Sequence, residues 1–97
     1  MAYIGHGCIL EENSLINVGA ILSHDIVIGR SSFISCSACF GGFSSIGKRC
    51  FIGLNSTISN NIEMTDDVFL GAFSSVTKSI SKSGVYYGNP AKVQKSK

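Results

Sequence analysis

Charge is scarce in this chain: only 14% of its 97 residues are Asp, Glu, Lys or Arg, against roughly 25% in an ordinary soluble domain. A small chain with so few charges is expected to keep part of its surface against another chain rather than against water. The net charge of +2 is too slight to argue for a nucleic-acid partner. Five of the eight basic residues (Lys78, Lys82, Lys92, Lys95 and Lys97) fall in the last twenty positions, as in a solvated tail. Long apolar runs are absent too, none approaching the ~18 residues of a membrane span. Met1 leads almost directly into patterned sequence, without the charged and apolar regions of a secretory leader. A disulfide framework is also lacking. Cys36 and Cys39 form a Cys-x-x-Cys with no second pair, and Cys8 and Cys50 occupy repeat positions where Ala or Ser also occur. These absences favour reduced, structural cysteines in a cytoplasmic protein that neither enters a membrane nor binds nucleic acid.

What the chain has is a period. Every sixth residue from Ile4 is large and apolar: Ile4, Leu10, Ile16, Leu22, Ile28, Ile34, Phe40, Ile46, Ile52, Ile58, Met64, Leu70 and Val76, until Lys82 breaks the series. Were about a third of positions large and apolar, such a run would arise by chance on the order of once in a million. The residue four places after each anchor is small or β-branched throughout, from Cys8, Ser14 and Ala20 to Val68, Ser74 and Ile80. Glycine often follows the anchor directly (Gly5, Gly29, Gly41, Gly47, Gly53, Gly71), as a sharp turn requires. A period of six fits neither the 3.6 of a helix nor a long alternating strand. It fits short strands joined by turns, each hexad burying one large and one small side chain, which is a solenoid.

This pattern resembles the hexapeptide-repeat family over about residues 4 to 81, and Gly88-Asn89-Pro90-Ala91-Lys92 is similar to the family's C-terminal closing motif. The resemblance implies an all-β, single-stranded, left-handed parallel β-helix with three hexads per coil, slightly over four coils in all. Its hand comes from the resemblance alone, because parallel crossovers are otherwise right-handed in ~98% of cases. The expected organisation is a β-helix domain over 1–81 and a closing segment and tail over 82–97. From Ser79 on, the chain is expected to leave the coil and pack back over it, with Tyr86 or Tyr87 covering the end. The first coil should expose an apolar triangle and an open strand edge.

With eighteen residues per coil, residues eighteen apart stack at about the ~4.8 Å strand spacing. The only histidines, His6 and His24, are so spaced, and they share an outward column with Gly42 and Asn60. Asn17-Val18-Gly19-Ala20-Ile21-Leu22-Ser23-His24-Asp25, followed by Ile28-Gly29, resembles the signature of the NeuD/PglD group of sugar acyltransferases. The resemblance implies that His24 is the general base and that Asp25 strengthens it. A carboxylate on one ring nitrogen fixes the tautomer and stabilises the imidazolium formed when the proton is taken. It further implies that the Gly42 N–H meets the thioester carbonyl of acetyl-CoA, that Asn17 lies near the acceptor, and that Leu54 and Ala72 line the pantetheine arm. Phe33 stands where many relatives carry a second histidine beside the thioester, and Ala72 replaces a common glycine.

The function so implied is transfer of an acetyl group from acetyl-CoA to an amino or hydroxyl group of a sugar, nucleotide-linked in this group. The enzyme would be a homotrimer with acetyl-CoA between subunits and no metal. Group members carry an N-terminal nucleotide-sugar-binding domain of the dinucleotide-fold type, which is expected to lie outside these 97 residues. Two other classes compete. A metal enzyme similar to the gamma carbonic anhydrases would need a His pair five apart, which the chain lacks, and a non-catalytic scaffold subunit would not need the His-Asp pair. An ice-binding surface would need regular threonine ladders, and only Thr57, Thr65 and Thr77 are present.

Overall fold

The computed structural model describes residues 1–96. Among them there is no helix; the chain winds as a left-handed parallel β-helix whose short strands stack into three sheets. The first sheet holds β1 (Tyr3–Ile4), β4 (Ile21–Leu22), β7 (Cys39–Phe40), β10 (Thr57–Ile58) and β13 (Ser75–Val76), all parallel. The second holds β2 (Ile9–Leu10), β5 (Val27–Ile28), β8 (Ser45–Ile46) and β11 (Glu63–Met64). The third begins with β3 (Leu15–Ile16), β6 (Phe33–Ile34), β9 (Phe51–Ile52) and β12 (Val68–Leu70). Partners are eighteen residues apart, as in Leu22↔Phe40 and Ile34↔Ile52.

The two sequence columns face inward as expected. From Leu22 to Val76 every anchor is buried, and the small column supplies Ala20, Ile26, Ala38, Cys50, Ile62 and Val68 to the same core. Its serines from Ser32 to Ser74 are buried as well, and each hydroxyl is satisfied. Ser44 Oγ donates to the Ser59 carbonyl at 2.8 Å and accepts from the Ile62 N–H at 3.1 Å. Ser32 does the same between Gly47 and Cys50. These hydroxyls tie each coil to the next where an alkyl group would leave an N–H without a partner. At the first coil the anchors Ile4 and Leu10 are exposed because no coil lies beneath them, and their neighbours Tyr3, Ile9 and Leu15 because they face outward.

The solenoid extends further than the anchor series. Ile80 bridges Met64 in parallel, and β14 (Gly84–Gly88) pairs in parallel with β12, Leu70 opposite Tyr86. The last segment thus completes a fifth layer before it leaves the coil, instead of departing at Ser79. Only β15 (Ala91–Ser96) reverses, running antiparallel to β14 at the edge of the third sheet through the Asn89-Pro90 turn. Tyr86 packs against the core and its hydroxyl donates to the Lys82 carbonyl at 2.7 Å, while the Tyr87 ring lies over Gly71.

Candidate functional site

Each corner of the coil is a four-residue turn, and its third residue adopts the left-handed conformation at every position from Gly7 to Phe73, with φ between 53° and 79°. This kink lets two consecutive side chains face the same way, which a straight strand forbids. At the corner between the first and second sheets the two residues are His24 and Asp25. Asp25, at φ 53°, suits that conformation because Asp and Asn tolerate it best among residues with side chains.

His24 Nδ1 lies 3.0 Å from Asp25 Oδ2. An ionised carboxylate only accepts, so a neutral imidazole in this contact carries its proton on Nδ1 and keeps its lone pair on Nε2. Nε2 has no hydrogen-bond partner among the described residues. The pair is partly open to solvent, His24 more so than Asp25. Backbone bonds hold the corner: the Asp25 N–H donates to the His6 carbonyl at 2.9 Å and the Phe43 N–H to the His24 carbonyl at 3.3 Å.

Gly42 lies one coil further on, under the His24 ring. A Cβ there would collide with the imidazole Cε1 and Nε2, so glycine is what admits the ring. The Gly42 N–H makes no bond to the described residues and is free to donate. His24, Asp25 and Gly42 are thus brought together.

The remaining sequence-derived residues sit elsewhere. Asn17, Leu54 and Ala72 occupy the corner between the third and first sheets, at the opposite margin of the first sheet. Asn17 Oδ1 accepts from the Val18 N–H at 2.8 Å; Leu54 and Ala72 are exposed. Phe33 lies on the outer face of the third sheet, its ring stacked on Phe51 at 5.4 Å, with Phe51 stacked in turn on Phe69 at 4.7 Å.

Two residues escaped the sequence reading. Phe43 meets the His24 ring edge-on at 5.1 Å, and Phe73 stands beside Leu54 and Ala72. Both are left-handed (φ 61° and 60°) and more than 60% exposed. Among the ten non-glycine residues in that conformation these are the only aromatic ones. A bulky side chain there is strained, and neither ring is compensated by burial. The available signal was the eighteen-residue spacing from Asp25 to Phe43 and from Asn55 to Phe73. Among the described residues, no group of three or more His, Cys, Asp or Glu side chains converges as metal ligands would.

Solved structures carry the same fold. A maltose O-acetyltransferase from Clostridium difficile 630 superposes with a TM-score of 0.88 at 23% identity, over 99% of this chain and 66% of that one. The acetyltransferase domain of PglB from Neisseria gonorrhoeae FA1090, in complex with acetyl coenzyme A, matches at 0.78 and 24% identity, over 94% of this chain and 50% of that one. PerB from Caulobacter crescentus, in complex with CoA and GDP-perosamine, matches at 0.78 and 24%, over 96% and 51%. The chain therefore spans between half and two thirds of the length of these proteins. No family model matches it, and no curated protein does. At these identities the likeness establishes the fold: the chain has the hexapeptide-repeat β-helix of these acetyltransferases.

Proposed function

We propose that this chain is the β-helix of an acetyl-CoA-dependent acyltransferase acting on an amino or hydroxyl group of a sugar, nucleotide-linked by preference, in a reducing, cytoplasmic setting. The observation that carries the reading is the His24–Asp25 pair seated on Gly42, with Nδ1 committed and Nε2 open. Nε2 takes the proton as the acceptor nitrogen or oxygen forms its bond to the acetyl carbon. The Gly42 N–H donates to the carbonyl oxygen as charge builds there. The carbon–sulfur bond breaks, and the proton passes from His24 to the CoA sulfur. Asp25 holds the tautomer and offsets the transient positive charge.

The other candidate residues fit this reading only across two chains. Asn17, Leu54 and Ala72 lie along the corner at the far margin of the first sheet, and Phe33 lies on the adjoining third sheet. A homotrimer brings that margin of one subunit to the His24 corner of the next, and cyclic closure satisfies every such contact alike. There Leu54 and Ala72 line the pantetheine arm, Asn17 faces the acceptor and Phe33 stands near the thioester. The exposed apolar residues at both corners, Phe43, Leu54 and Phe73, supply surface for such a groove.

The test is calorimetry with acetyl-CoA and a panel of nucleotide-linked amino sugars, together with sedimentation. Acetyl-CoA binding at one site per chain by a trimer, with acetyl transfer to one member of the panel, is the expected result. A protein that binds no acetyl-CoA would be a scaffold, and a stable monomer would contradict sites shared between subunits.

A further inference from the structure

Twelve corner residues share the left-handed conformation: Gly7, Asn13, Gly19, Asp25, Ser31, Ser37, Phe43, Arg49, Asn55, Asn61, Asp67 and Phe73. Ten of them carry side chains, so this backbone does not by itself require glycine at position 7. What distinguishes Gly7 is the group that lies over it. It sits one coil before Asp25, and a Cβ built on it would overlap Asp25 Oδ1 and come within 3.0 Å of the carboxylate carbon. The flanking backbone is pinned, because the Asp25 N–H donates to the His6 carbonyl at 2.9 Å. The corner therefore cannot lift away without losing a coil-to-coil hydrogen bond. The remaining response to a side chain at position 7 is rotation of the Asp25 carboxylate. Its other oxygen is the one 3.0 Å from His24 Nδ1, so rotation breaks that contact.

We infer that Gly7 is a positioning residue for the His24–Asp25 pair: its missing side chain is the space in which the carboxylate turns toward the imidazole. The pair is then held between two glycines, Gly42 against the His24 ring and Gly7 against the Asp25 carboxylate. The inference deepens the general-base reading and rests on it for its catalytic meaning, although the placement of Asp25 can be measured without substrate.

The measurement is the tautomer of His24 in the full chain, read from long-range proton–nitrogen NMR spectra near pH 9, where imidazoles are neutral. The protein has two histidines, and His6→Gln assigns them. Wild-type His24 should show the Nδ1–H form. Gly7→Ala should move it toward the Nε2–H form, as Asp25→Ala does, and should add nothing in an Asp25→Ala background. Gly7→Asn, whose side chain suits the left-handed backbone, should give the same shift and so separates overlap with Asp25 from backbone strain. Gly19→Ala is the control. It introduces a side chain at the same turn position (φ +77°) but facing Ser37, and should leave His24 unchanged. If both Gly7 variants keep the Nδ1–H form, the inference is overturned while the general-base reading stands. If wild-type His24 lacks that form, the pair itself does not exist, and both fall.

Discussion

The His24 ring stands on the bare Cα of Gly42, eighteen residues and one coil away, with its Nδ1 3.0 Å from Asp25 Oδ2. Neither relationship needs a mobile loop: strand register brings position 42 under position 24, and the corner's left-handed residue turns Asp25 to the same side. A rigid solenoid thus fixes the orientation of the imidazole beside the carboxylate; on the proposed general-base reading, preorganisation of this kind lowers the barrier.

Phe73 is held at φ 60° and is 68% exposed, so its strained backbone is not repaid by burial of the ring, and the proposed acetyl-CoA groove would give the ring its contact. Phe73→Asn should raise the unfolding free energy by about 1 kcal/mol, since Asn tolerates this conformation better. The same change should weaken acetyl-CoA binding. Urea titration and calorimetry on one preparation check both signs; a variant that is destabilised and binds normally would place Phe73 in the scaffold instead.

Ser44 donates to Ser59 and accepts from Ile62 inside the core. Ser44→Ala leaves the Ile62 N–H and the Ser59 carbonyl without that partner and should cost about 1–3 kcal/mol of stability. A midpoint within error of wild type in urea would show that the backbone re-pairs on its own.

Burial pushes the Cys50 thiol above the ordinary range, and its S–H points at the Thr65 carbonyl, 3.2 Å away. The folded chain therefore keeps this thiol protonated at a pH where the unfolded chain ionises it. Its contribution to stability is full below the ordinary thiol range, about 8.5, and is lost as pH rises past it. Stability should fall as pH rises from about 8.5 toward 10, and less steeply in Cys50→Ala. Parallel curves for the two proteins would assign the fall to other groups.

The period of six made most of this architecture legible. It identified the inward columns from Leu22 to Val76, and the eighteen-residue coil implied by the family resemblance set Gly42 one coil from His24. The fifth layer was hidden because Lys82 occupies the anchor slot, and the layer is built from Ile80 and Tyr86 at irregular spacing. Ile4 and Leu10 obey the pattern and stay exposed, as expected of a first coil with none beneath it. The Phe33–Phe51–Phe69 stack was present at the right spacing, but an outward column of mixed character carries no periodic signal of its own. The space around Asp25 and His24 depends on which side chains are missing one coil away, at Gly7 and Gly42, and such voids appear only once the coils are stacked.

The most direct measurement is the acetyl-transfer rate of His24→Ala beside His6→Ala, on the acceptor that wild-type protein uses. His6 is followed by Gly7 and has no carboxylate next to it in the chain. If His24 is the general base, its loss should lower kcat by about 10²–10⁴-fold with acetyl-CoA affinity nearly unchanged, and His6→Ala should be far milder. Equal, small losses for the two histidines would contradict the assignment, and an effect of His24→Ala confined to the acceptor KM would recast His24 as a binding residue.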